Sequence, residues 1–434
     1  MARGCRLLTA LALLGWLLGA CAPAAPTPTP VAPTPAPKPV KIAIVSDIGG
    51  RGDLSFNDMA FKGGDDAKRD FGVEVVEVIS KVEADYVPNL TTAARDPDVQ
   101  LIVGVGFLLS DALAEVARKF PDKNFVGIDT YAQSIVQQKY PNEYPLPNLM
   151  DVVYEEHKGS ALVGALATFL AAEYKKPHIG GVFGIEIPVL WKFEIGYKWG
   201  ARWATEWLAK NKPDKAFPYT KDFVLWTYTG TFSDITKGYE AAKAMYARDA
   251  VAVYNIAGPL GLGINQAVEE IARAQGLKSG PPFWIGVDAN QDWINPGFII
   301  ASMMKRVDKG VYYTTKLVLD GKFRDLVKRN KGVLVLGIGT KVDGELMEGI
   351  SVSTLADLDE FIKMGETAEK LTGKKVLPAP PDEIRRRVKA MRDAQPAWIW
   401  EAVAELERMI RNGEVQVPMV TTEEEIKKWR EELG

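Results

Sequence analysis

Short, continuously apolar runs separated by helical stretches constrain this chain more than any other feature. Residues 101–105 read Leu-Ile-Val-Gly-Val and carry no polar side chain. A run of that length without alternation suits a parallel strand covered on both faces. Further β-rich runs fall at 41–46, 73–79 and 124–128, and helical spacing fills 57–70, 86–95 and 111–120 between them. Strands joined by crossover helices predict a doubly wound α/β sheet.

The pattern then repeats. Helical spacing at 158–174, 188–210, 234–247 and 265–274 alternates with strand runs at 178–183, 222–227, 251–256 and 283–287. The expected fold class is α/β, with two doubly wound parallel-sheet lobes joined by a hinge, and 434 residues leave room for both. Linking strands are expected near 152–154 and 283–304. Lobe 1 is expected to take 40–152 and 286–325, and lobe 2 to take 153–285 and 326–358. Residues 359–434 read as a C-terminal helical extension packing on the lobes. There, Ile399, Val403, Leu406 and Ile410 form one apolar helical stripe, and Thr422 with Glu425 reads as a capping box. Open α/β sheets bind ligands beyond the carboxyl ends of their strands. Two facing lobes therefore predict a site in the cleft between them.

The N-terminus reads as an address. Arg3 and Arg6 precede the apolar run 7–18, which has the length of a secretory signal core and is short for a bilayer span. Residues 1–20 are read as a signal peptide. Leu18-Gly19-Ala20-Cys21 resembles the bacterial lipobox, which implies lipidation of Cys21, and two acyl chains anchor stably. Residues 22–37 contain only Ala, Pro, Thr and Val, so 21–39 is read as the lipidated cysteine and an extended tether. The expected location is extracytoplasmic, lipid-anchored to the cell membrane. No later apolar run reaches the ~18 uncharged residues of a transmembrane helix.

Composition narrows the chemistry. The only cysteines are Cys5 and Cys21, and the only histidines are His157 and His178. A cysteine nucleophile, a disulfide framework and a histidine metal site are not expected in the folded body. His157 is read as an exposed helix-start residue and His178 as a strand-start residue. The net charge is -3 with no basic stripe, so no nucleic acid partner is expected. No catalytic residue, metal or cofactor is assigned. One rival remains a nucleotide-dependent enzyme, because Gly261-Leu262-Gly263 follows a strand and opens a helix. Gln266 stands where a dinucleotide fingerprint needs its third glycine.

The first strand runs into Asp47-Ile48-Gly49-Gly50-Arg51-Gly52-Asp53-Leu54-Ser55-Phe56-Asn57. Ser55 is placed to cap the next helix, Phe56 to present an apolar face, and Asn57 to offer a donor and an acceptor. A plain turn, capped helix and core phenylalanine would also satisfy this spacing. The segment resembles the opening signature of the basic membrane protein family of ABC transporter substrate-binding lipoproteins, which are purine nucleoside receptor-like. Further matches follow in order: Gly104-Val105-Gly106-Phe107, Asp129, Glu155-Glu156 before Gly159, and Phe193-Glu194-Ile195-Gly196-Tyr197. Gly230-Thr231-Phe232-Ser233-Asp234, Gly258, Gly286-Val287-Asp288 and Ser302-Met303-Met304-Lys305 complete them. The likeness covers residues 40 to 320.

The resemblance implies a type I periplasmic binding protein, not an enzyme. It would hold a purine nucleoside and deliver it to ABC permease and ATPase subunits. It implies that Phe56 and Phe232 stack the base from opposite lobes and that Asn57 and Asp129 bond its edge. Asp47, Gly258, Asp288 and Lys305 would hold the ribose or complete the polar shell, with Ser55 in the same set. The chain departs from the family at Arg51 and Gly52, and 333–350 follows the closing hairpin only loosely. Trp191, Trp199 and Trp226 are expected near the cleft. The tail could instead dock on the permease. The same fold also suits a sugar, a peptide or a signalling molecule, or a sensor subunit.

Overall fold

The computed structural model describes residues 39–434. The signal peptide, Cys21 and the body of the tether lie outside them. The described chain opens with β1 (Lys41–Ser46), α1 (Phe56–Phe71), β2 (Glu74–Ile79), α2 (Tyr86–Arg95) and β3 (Val99–Val105). It continues with α3 (Ser110–Lys119), β4 (Asn124–Ile128), α4 (Ala132–Lys139) and β5 (Leu149–Tyr154). The chain then crosses into a second unit of the same design. This comprises α5 (Glu156–Tyr174), β6 (His178–Phe183), α6 (Pro188–Asn211), β7 (Val224–Tyr228) and α7 (Ile235–Ala247). It ends in β8 (Ala250–Ile256), α8 (Leu260–Gln275), β9 (Phe283–Asp288) and β10 (Ile299–Lys305).

A second crossing returns to the first lobe through α9 (Val307–Leu319), α10 (Phe323–Arg329) and β11 (Val333–Leu336). A small hairpin follows, β12 (Lys341–Val342) with β13 (Glu345–Leu346). The third crossing ends in β14 (Ile350–Val352). The first sheet therefore runs β11-β5-β4-β3-β1-β2, and the second runs β14-β10-β9-β8-β6-β7. All neighbours are parallel except β14, which pairs antiparallel with β10. The central strands β1, β3 and β8 are buried almost throughout, as helices on both faces require.

The lobe boundaries need correcting. Residues 286–305 belong to the second lobe, because β10 pairs with β9 from Ile299 opposite Trp284 onward. Residues 333–336 belong to the first, because β11 pairs with β5. The 333–350 segment is accordingly no single hairpin: β11 and β14 sit in different sheets, and the chain crosses between lobes within it. His157 is likewise not exposed. It lies buried in the first turn of α5, where burial lowers its pKa to about 3.

Helices α5 and α6 form the spine of the second lobe and touch backbone to backbone. A Cβ at Gly200 would stand 2.0 Å from the Ala161 carbonyl oxygen, so only glycine permits this approach. The tail supplies α11 (Leu358–Thr372), α12 (Pro381–Asp393), α13 (Ala397–Arg411) and α14 (Glu423–Leu433). The expected stripe Ile399, Val403, Leu406 and Ile410 is buried on α13, which lies against α5, while α14 lies against α6. Thr422 and Glu425 form the expected capping box. In α11, Gly365 abuts Trp293 of the second lobe, and Glu360 pairs with Lys62 of α1 at 2.6 Å. Among the described residues, no helix is long and apolar enough to cross a membrane.

Candidate functional site

The carboxyl ends of both sheets meet around one cavity. Asp47, Phe56, Asn57 and Asp129 line it from the first lobe, and Phe232, Gly258, Asp288 and Lys305 from the second. Ser55 does not line the cavity, although it touches a residue that does. Cys21 lies outside the described residues.

The turn after β1 differs from its expected chemistry. Ser55 makes no side-chain cap to α1. Asp53 takes that role: its carboxylate accepts from the backbone N–H groups of Ser55, Asn57 and Asp58 at 2.9, 2.8 and 3.1 Å. A carboxyl oxygen at a helix N-terminus satisfies orphan donors, here in a group whose pKa burial and the neighbouring Asp58 push up. Freed from capping, the Ser55 hydroxyl reaches across the cleft to the Val287 carbonyl (3.0 Å) and the Asp288 carboxylate (2.9 Å).

Each lobe presents one aspartate at a strand end in left-handed backbone. Asp129 follows β4 with φ 59°, and Asp288 ends β9 with φ 65°. Non-glycine residues hold such angles at a cost of order 1 kcal/mol, and such strain concentrates at functional sites. Two close approaches shape the walls. A Cβ at Gly106 would stand 2.1 Å from Asp47 Oδ2, and one at Gly184 would stand 2.3 Å from the Phe232 ring. Small residues there let the carboxylate and the ring turn into the cavity.

Lys305 crosses the cleft. Its ammonium pairs with Asp129 Oδ2 of the first lobe and lies 3.2 Å from Glu156 Oε1. It also sits 5.1 Å from the Phe56 ring centroid and 5.3 Å from that of Phe193, a cation–π arrangement. Lys192 pairs with the other Glu156 oxygen and donates to the Tyr154 carbonyl at 2.9 Å. Burial would discharge Lys305, but Asp129, Glu156 and Asp288 hold its pKa above the ordinary lysine value. Burial would also neutralise Glu156, and Lys192 and Lys305 keep it below the usual carboxylate range. Asp47 has no such cation. Burial raises its pKa to about 7, although Asn57 Nδ2 donates to it at 3.4 Å. Asn57 Oδ1 and Asp129 Oδ1 are buried acceptors without a hydrogen-bond partner in the protein.

The remaining wall is apolar: Phe107 and Leu108 from the first lobe, and Ile187, Val189, Leu190 and Phe193 from the start of α6. Neither these nor Asp53, Glu156 and Lys192 were assigned from sequence. Phe107, Glu156 and Phe193 sit inside matched segments, which was the available signal; the aliphatic residues read as ordinary core. The three tryptophans are not cavity residues. Trp191 packs against Val420, Ile426 and Leu433, with Trp199 beside it, and Trp226 lies under Lys198 and Arg430. Tail residues claim these rings from the far side of α6. Gly261 and Gly263 open α8, but a Cβ on Gly263 would stand 2.1 Å from the Ile235 carbonyl. Gly263 thus allows α7 and α8 to pack, and a Cβ on Gly261 would meet Asn255 Nδ2 at 2.4 Å, so packing accounts for both glycines without a nucleotide.

Residues 40–326 match the family model described as Bmp, ABC transporter substrate-binding protein PnrA-like. A lipoprotein of Pyrococcus abyssi is 35% identical over 91% of this chain and 88% of its own length. The ABC transporter nucleoside-binding protein BmpA of Lactococcus lactis is 28% identical over 65% of this chain and 76% of its own. Among solved structures, a solute-binding protein of an ABC transporter system from Aeropyrum pernix superimposes with a TM-score of 0.76. It is 31% identical and covers 91% of this chain and 97% of its own. The chain thus belongs to the Bmp family of PnrA-like ABC transporter substrate-binding proteins.

Proposed function

We propose that this substrate-binding protein captures a purine nucleoside between its lobes and delivers it to a membrane permease. The observation that carries the reading is the pairing of two phenylalanines from opposite lobes, Phe56 and Phe232, in one cavity with unpartnered buried acceptors. Flat rings suit any base, because every base has a π-face. Asn57 Oδ1 and Asp129 Oδ1 need donors, which the edge of a purine supplies. Asp47 and Asp288 suit ribose hydroxyls. The same acids disfavour a phosphate, since the one lining cation, Lys305, already serves Asp129 and Glu156. The nucleoside-binding name of the Lactococcus relative supports the same class.

Mass spectrometry of solute released from the purified, denatured protein tests this, with calorimetry on guanosine, inosine, adenosine and ribose. Nucleoside binding with ribose inert is the expected result. Binding of ribose alone, or release of a compound without a purine, overturns it. We also assign anchoring to Cys21. Cys21→Ser should move the protein from the detergent phase to the aqueous phase, and retention in detergent would remove the anchor.

A further inference from the structure

The tail helix α14 reaches the solute cavity indirectly, and Arg430 is its link to both Glu186 and Glu194. Arg430 Nη1 pairs with Glu186 Oε1 at 2.8 Å, while its Nε and Nη2 donate to the two Glu194 oxygens at 3.0 and 2.7 Å. Glu186 stands immediately before residues 187–193, and Glu194 immediately after them. That segment supplies Ile187, Val189, Leu190 and Phe193 to the cavity wall. Trp191, on its opposite side, is buried among Val420, Ile426 and Leu433. One guanidinium therefore ties both ends of the wall, with an apolar seat behind its middle. The tie extends to a second wall. The Tyr228 hydroxyl donates to Glu194 Oε2 at 2.9 Å, and Tyr228 ends the strand that leads to Phe232. Glu194 itself is fully buried and does not touch the cavity.

The geometry points to Arg430 as a positioning residue for solute binding: by gripping Glu186 and Glu194 it holds the 187–193 wall in its binding shape. The inference rests on the reading of the cavity as the solute site. A wall fixed before binding loses little freedom when solute arrives, which raises affinity without a new contact. Lysine could not make both ties, because the planar fork of arginine spans them where a single ammonium cannot. The C-terminal extension is then a working part of the binding apparatus.

Arg430→Met and Glu186→Gln test this, with Arg202→Ala as the control. Arg202 ties the same helix through Glu432 at 2.6 Å, away from the cavity. The first readout is hydrogen exchange without solute. Residues 186–194 and 228–232 should exchange faster in Arg430→Met, with 41–46 unchanged and the control like the wild type. No change, or equal acceleration in the control, overturns the inference. The second readout is guanosine affinity. Arg430→Met should bind about tenfold more weakly, with Glu186→Gln between it and the wild type. Equal affinity in all three variants overturns the inference as well. If the wild type binds none of guanosine, inosine and adenosine, the nucleoside reading fails and the exchange result alone decides this one. If Arg430→Met does not fold, Glu186→Gln carries both readouts, since it breaks only the half-exposed tie.

Discussion

The Ser55 hydroxyl lies 2.9 Å from the Asp288 carboxylate, and the two residues belong to different lobes. Gln291 Nε2 donates to the Leu54 carbonyl at 3.0 Å alongside. These bonds exist only while the lobes are together. Ser55→Ala should therefore disfavour the closed form and leave either lobe intact. Removing one such bond costs about 0.5–1.5 kcal/mol, or roughly twofold to thirteenfold in solute affinity. Calorimetry reads the affinity, and X-ray scattering reads a larger apparent radius without solute. Unchanged affinity would mean that the bound form does not use this contact.

Closure should take up protons. In the closed form burial raises the Asp47 pKa to about 7, against an ordinary value of 3.8. Opening hydrates the group and returns it toward that value. Between those limits the closed form binds more protons, so falling pH favours closure and rising pH through 7 weakens it. The solute-free protein should scatter as a more compact particle at pH 5 than at pH 8. Asp47→Asn should flatten that dependence; an identical slope in the variant would assign it to another group.

Phe56→Ala should cost about 1–3 kcal/mol for every purine nucleoside, because stacking ignores the base edge. Asp129→Asn should behave differently. It weakens the pair with Lys305 whatever the solute, and it also changes the acceptor at the free oxygen. Calorimetry should show a common loss plus a part that varies among guanosine, inosine and adenosine. A uniform loss would remove Asp129 from the base edge, and no loss for Phe56→Ala would remove the stacking role.

Gly200→Ala should destabilise the second lobe. Alanine improves helix propensity by about 1 kcal/mol, but its methyl would stand 2.0 Å from the Ala161 carbonyl. Backbone cannot turn aside as a side chain can, so a net loss of about 1–3 kcal/mol is expected. Thermal unfolding measures it, and a raised midpoint would show that α5 and α6 can separate at no cost.

Much of the architecture is legible in residue patterns. Strands 41–46, 124–128 and 178–183 carry apolar runs bounded by turn residues, and they fold over those bounds. The allocation of β10 and β11 between sheets was not legible, because hydrophobicity marks a strand as buried without naming its neighbour. Helix α9 is not legible in the sequence: Asp308 and Lys309 interrupt its apolar start, although Asp308 is buried against Lys62 and Arg306. At the cavity, the glycine and aspartate signatures drew attention to strand ends. Lys192 and the capping role of Asp53 were not legible, since a buried ion pair or a capping carboxyl looks like any surface charge until its partner is known. Ser55 shows the converse, a residue suited to capping whose cap was taken by its neighbour Asp53.

The three crossings between lobes also govern how the chain can be made. The first sheet gains its edge strand only at Val333–Leu336, after all of the second lobe's parallel strands. A ribosome must therefore synthesise most of the second lobe before the first has its full set of strands. The second sheet in turn waits for Ile350–Val352. Neither half is a stretch of chain that could be cut out and expressed alone, so duplication, swapping or truncation of one lobe would leave an open strand edge on its partner. Two sheets that face each other across one cavity are, during synthesis, one unfinished object.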